Sequence, residues 1–121
     1  MKFIQPKIHS LIDYLIVIFL IASPTSFEFS GVLAVFTYLL GTVHLILTVL
    51  TADGIGPFNI IPFPVHGTIE VIIGVVLIIL AYTLFKDDDK GKLFYVIFGT
   101  VVLLTWFVTD YKAAIVKTAE A

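Results

Sequence analysis

The chain has 121 residues, room for one domain. Apolar residues make up 60% and charged residues 13%, against about 25% charged in a typical soluble domain, so a water-soluble globule is excluded. There is no cysteine, which excludes disulfides, thiolate metal sites and cysteine nucleophiles; the seven cations are all lysine and form no basic stripe, which leaves nucleic-acid binding without support.

A bilayer core of about 30 Å needs about 20 helical residues, and four segments meet or approach that length. The first runs from about Ile8 to Ser23 and carries Asp13. Pro24 is expected to end it, since proline lacks the amide donor and disfavours helix just before it. Lys2 and Lys7 ahead of the apolar run Tyr14 to Ala22 resemble a signal peptide, but Asp13 and Pro24 interrupt that anatomy and the segment is expected to be retained. The second segment runs from Gly31 to Ala52, with no formal charge and His44 as its only histidine. Pro57, Pro62 and Pro64 then break the helix. The third runs from Val65 to Phe85 with Glu70 as its only charge. Lys86 to Lys92 reads as a solvated loop; its three aspartates lack the spacing and distal glutamate of an EF-hand. The fourth runs from Leu93 to Thr109, uncharged, with room to continue past Tyr111. Phe85, Phe94 and Tyr95 are expected to mark one membrane interface, and Phe58, Phe63 and Tyr111 the other.

The sequence repeats itself. His9-Ser-Leu-Ile-Asp13 aligns with His66-Gly-Thr-Ile-Glu70 at an offset of 57, and Gly41-Thr42 with Gly99-Thr100 at an offset of 58. Thr51-Ala52-Asp53 aligns with Thr109-Asp110. The expected architecture is therefore a single all-α membrane domain over residues 1–121. It is a four-transmembrane-helix bundle of two two-helix repeats, at about 8–53 and 65–111. Two spans per unit give both copies the same orientation, with a pseudo-twofold axis along the membrane normal. Both termini and the central loop then share one face. Lys2, Lys7, Lys112 and Lys117 on that face outnumber Lys86, Lys90 and Lys92 on the other, which favours cytoplasmic termini.

The repeat also pairs the residues able to carry chemistry. His9 and Asp13, four apart, share a helix face, and His66 and Glu70 repeat them. Asp53 and Asp110 close the helices returning to the same surface. A carboxylate within a membrane costs about 2.5–3.5 kcal/mol on insertion scales, so Asp13 and Glu70 are expected to face the bundle interior. Gly67, Gly74 and Ala81 form a close-packing stripe on the same side of the third helix as Glu70. Three readings stay open for these groups: structural cross-links between helix ends, a metal site made of His9, Asp13, His66 and Glu70, or a site that exchanges protons with a quinone-type ligand. His44 has no counterpart, since the fourth helix carries Val101 and Val102 there. It is expected to face the bundle, as a cross-helix hydrogen-bonding group, a proton relay or an axial ligand, and to act apart from Asp53.

Ile8-His9-Ser-Leu-Ile-Asp13-Tyr14, then Ile21-Ala22-Ser23-Pro24, resembles the small bacterial membrane proteins of the SPW-repeat family. Leu50-Thr51-Ala52-Asp53 and Ile61-Pro62-Phe63-Pro64-Val65-His66 are similar to them as well. Thr25 stands where the family has tryptophan, and the second copy lacks Ser-Pro. The resemblance implies a multi-pass protein of the bacterial inner membrane with a repeated two-helix unit, and no defined activity. The expected function is a non-enzymatic accessory module in the lipid bilayer that forms a homo-oligomer or joins a larger membrane complex. The alternative is a ligand-binding or redox-linked protein that holds a metal, haem or quinone at the His/carboxylate groups.

Overall fold

A computed structural model of the chain describes residues 2–53 and 55–112. Lys117, one of the lysines behind the expected orientation, lies outside them. The described residues form four helices, α1 (Pro6–Ser26), α2 (Gly31–Leu50), α3 (Phe63–Tyr82) and α4 (Asp89–Val108), with two-residue strands β1 (Thr51–Ala52) and β2 (Ile61–Pro62) between α2 and α3. Each helix is about 30 Å long at 1.5 Å per residue, and all four are long and apolar enough to cross a membrane. Leu15, Ile18, Val32, Leu39, Ile72 and Leu104 point outward and are exposed. That much apolar surface is untenable in water and suits contact with lipid.

The helix ends differ from the sequence expectation in ways that local chemistry explains. Pro24 does not stop α1, which runs on to Ser26. Proline removes one backbone bond near a helix end, and membrane helices compensate for it locally. The bond lost is the one to the Leu20 carbonyl alone, and the last turn stays held on either side of it: the Ser23 hydroxyl donates to the Phe19 carbonyl at 2.6 Å, and the Phe27 amide to the Ser23 carbonyl at 2.8 Å. α4 starts at Asp89, four residues early, because the Asp88 carboxylate accepts from the Gly91 amide at 3.0 Å and caps the helix. α2 and α4 end early, at Leu50 and Val108, because Thr51 and Thr109 turn extended to join short parallel pairings.

Those pairings set the bundle's geometry. Thr51 pairs with Ile61, and Ile4 with Thr109. The Ile60 amide donates to the Leu50 carbonyl at 3.0 Å, and the Phe3 amide to the Val108 carbonyl at 2.9 Å. The end of α2 is thereby tied to the start of α3, and the end of α4 to the start of α1. Within each hairpin a glycine lets the helices close up. A Cβ on Gly41 would lie 2.8 Å from Ile21, and one on Gly99 would lie 2.8 Å from Ile78 and 2.9 Å from the Gly74 carbonyl.

The apolar core lies toward the opposite end of the bundle and contains Leu20, Leu33, Leu77, Ala81, Phe85 and Tyr95. Phe85, Tyr95 and Phe63, expected at the interfaces, are buried inside the bundle. They sit near the helix ends, as an aromatic belt would, but face inward. Tyr95 can do so because the Thr37 hydroxyl accepts its proton, the two oxygens lying 2.6 Å apart.

Candidate metal centre

His9 and His66 are each the fourth residue of their helices, α1 and α3. Asp13 and Glu70 follow one turn later, about 10 Å in from the helix starts at 1.5 Å per residue. All four side chains are buried, and one ligand atom from each lies within 4.8 Å of all the others. His66 Nε2 is 2.8 Å from Glu70 Oε1 and 3.1 Å from Asp13 Oδ2. His9 Nε2 is 3.1 Å from Glu70 Oε2 and 3.4 Å from Asp13 Oδ2. Each imidazole nitrogen therefore meets both carboxylates, one from its own helix and one from the other.

The outward nitrogens are held by two threonines that sequence reasoning passed over. His9 Nδ1 lies 2.8 Å from Thr109 Oγ1, and His66 Nδ1 lies 2.8 Å from Thr51 Oγ1. Each threonine hydroxyl gives its one proton to a carbonyl a turn back, Thr109 to Thr105 and Thr51 to Leu47, both at 2.6 Å. The threonine oxygen can then only accept, so Nδ1–H donates to it. Nε2 of each ring is left facing the carboxylates. The signal was present in the sequence, since Thr51 and Thr109 align in the two halves, but the adjacent aspartates drew the inference.

A proton on each Nε2 does not satisfy this arrangement. One N–H serves one acceptor well, and both rings present their hydrogen-bonding geometry to Glu70 Oε1, at 2.8 and 3.2 Å. Asp13 Oδ2, fully buried, is left with no hydrogen bond, although both rings are within ion-pair distance of it. A cation has no such limit. A tetrahedral ion with bonds of about 2.0–2.1 Å holds its ligand atoms about 3.3–3.4 Å apart. The four nitrogen–oxygen separations, 2.8–3.4 Å, already approach that spacing. A divalent ion would also cancel the charge of two carboxylates taken out of water.

Tyr111 and Phe63 roof the cluster. Their rings lie 4.8 Å apart, and each is edge-on to His9, with centroids at 6.0 and 5.2 Å. Gly67 makes room for this roof, since a Cβ there would lie 2.6 Å from the Tyr111 ring. Burial, followed by the charges of Glu70 and Asp13, pushes the Tyr111 phenol up and keeps it protonated.

The other sequence candidates have separate places. His44 Nε2 lies 3.5 Å from Asp13 Oδ1 without a hydrogen bond, at the edge of the cluster. Asp53 is not among the four; its Oδ1 accepts from the amides of Ile55 and Gly56, both at 3.0 Å, and fixes the turn after β1. The Asp110 amide donates to the Ile4 carbonyl at 2.9 Å, beside the pairing that anchors α1. The chain matches no protein-family model, and no curated protein or solved structure shows significant similarity to it.

Proposed function

We propose that this chain is a metal-binding protein of the bacterial inner membrane, holding one divalent transition-metal ion between His9, Asp13, His66 and Glu70. The observation that carries the reading is the convergence of two imidazole nitrogens and two carboxylate oxygens, all four side chains buried and these atoms within 4.8 Å of one another. Two imidazoles with two carboxylates suit zinc, iron or manganese. Thr51 and Thr109 act on the ligands as outer-shell groups, orienting each ring and fixing its tautomer. A haem is a poor fit, because both Nε2 atoms already lie against carboxylates and the two imidazole centroids are 5.4 Å apart.

The same reading takes the chain as two copies of one two-helix unit, in keeping with the SPW-repeat resemblance and with termini on the cytoplasmic side. The matched pairs support it: His9 with Thr109 against His66 with Thr51, and Gly41 on Ile21 against Gly99 on Ile78. One metal ion would then sit near the pseudo-twofold axis, with two ligands from each copy. A purely structural accessory module, whether in a homo-oligomer or a larger complex, is the other reading; it predicts that the four side chains pair only with one another and that purified protein holds no ion.

The test is titration of purified, chelator-stripped protein with zinc, manganese and iron(II). One ion per chain is expected, with Glu70→Gln weakening it strongly. Tight binding that Glu70→Gln and His66→Ala leave unchanged would refute the site.

A further inference from the structure

The two halves share the histidine, carboxylate, threonine and glycine positions around the cluster but differ at His44. His44 stands in α2 where α4 has Val102, at the offset of 58 that relates Gly41 to Gly99. Both residues line a cavity of about 270 Å³ between α2 and α3. Leu40, Val43, Ile69 and Phe98 are also in its wall, and among the described residues its polar side chains are His44 and Glu70. Val43 and Ile46, which line it as well, are about half exposed on the lipid-facing surface, so the cavity opens sideways into the bilayer. His9 and His66 are fully buried and are not in its wall, whereas the His44 side chain keeps 12% exposure; its Nε2 is buried against Asp13, which leaves Nδ1 as the nitrogen for an occupant.

These features define the occupant's chemistry. Entry from the side requires a lipid-soluble molecule. The volume lies at or just below the usual range of ligand pockets, about 300–1,000 Å³, so it takes a ring-sized head and leaves a tail in the lipid. The wall carries no lysine to pair with an anionic head, which disfavours fatty acids and acidic phospholipids. An imidazole and a carboxylate together suit an uncharged head with hydroxyl or carbonyl oxygens. The Phe98 ring in the wall suits a flat one.

We propose that the α2–α3 cleft binds a membrane-soluble quinone or quinol, with its ring head hydrogen-bonded to His44 beside Glu70. The cleft is formed by protein side chains alone, so it stands whether or not the four-residue cluster holds a metal. The probe is a short-tailed benzoquinone, in its oxidised and its reduced form, titrated by calorimetry into detergent-purified full-length protein, both metal-loaded and chelator-stripped. Saturable binding of one molecule per chain is expected. It should weaken about tenfold or more in His44→Val, which places the α4 residue in α2 and removes the buried hydrogen bond to the head. Val43→Trp, which fills the mouth from the lipid side, should weaken it as much and retain the metal. Binding that persists in chelator-stripped protein supports the cleft alone, and metal binding without quinone binding leaves only the cluster. Two results would overturn the proposal: no saturable binding of either form, or equal affinity in the wild type and both variants.

Discussion

Two buried polar sites lie in this bundle, and they are built differently. Toward one end, Thr37 and Tyr95 meet inside the apolar core. The Thr37 hydroxyl donates to the Leu33 carbonyl at 2.8 Å, and the Tyr95 hydroxyl donates to Thr37. Every proton there has an acceptor, and the site is complete. At the other end, two imidazoles and two carboxylates, all buried, converge on one point, and each Nε2 is shared between both carboxylates. Buried polar groups that serve only the fold are normally satisfied within it. The contrast between a closed pair and a shared set of four is what the proposed metal site rests on.

The contrast breaks most visibly if the ligands themselves are removed. His9→Ala with His66→Ala should abolish stoichiometric metal binding, measured by elemental analysis, by more than the roughly 100-fold that outer-shell changes reach. Thr51→Val and Thr109→Val should each weaken the metal about 10–100-fold, and by similar factors, because each leaves one Nδ1–H without its acceptor. Competition titration against a chromophoric chelator reads this effect. At the closed site, Tyr95→Phe should cost about 1 kcal/mol of stability and leave metal affinity unchanged. Thermal unfolding with and without metal separates those two effects. Smallest of all, Asp53→Asn keeps the oxygen that holds the Ile55 and Gly56 amides and should change stability by less than about 0.5 kcal/mol, with full metal content.

The fold was legible in the sequence because the apolar runs are long and the charges sit between them. The helix ends were less so, since they depend on particular hydrogen bonds such as the Asp88 cap and the extended turns at Thr51 and Thr109. Within the site, the i, i+4 spacing of His9 with Asp13 and of His66 with Glu70 places each pair on one helix face, and the doubling brings the pairs together. The threonine partners were hidden because each reaches a histidine on another helix, 15 residues away for Thr51 and 100 for Thr109. That reach follows from the short pairings Thr51 with Ile61 and Ile4 with Thr109, which local pattern does not signal. Asp53 and Asp110, although acidic and aligned, lie outside the group of four because their chain positions serve those turns and pairings.

The most direct test of the central claim is the metal stoichiometry of the full-length protein, purified in mild detergent without chelator and then equilibrated with zinc, manganese or iron(II). One tightly held ion per chain is expected, and its loss in the His9→Ala/His66→Ala variant. A correctly folded protein that retains no ion from any of the three would contradict it, and so would one that binds the ion equally well without both histidines.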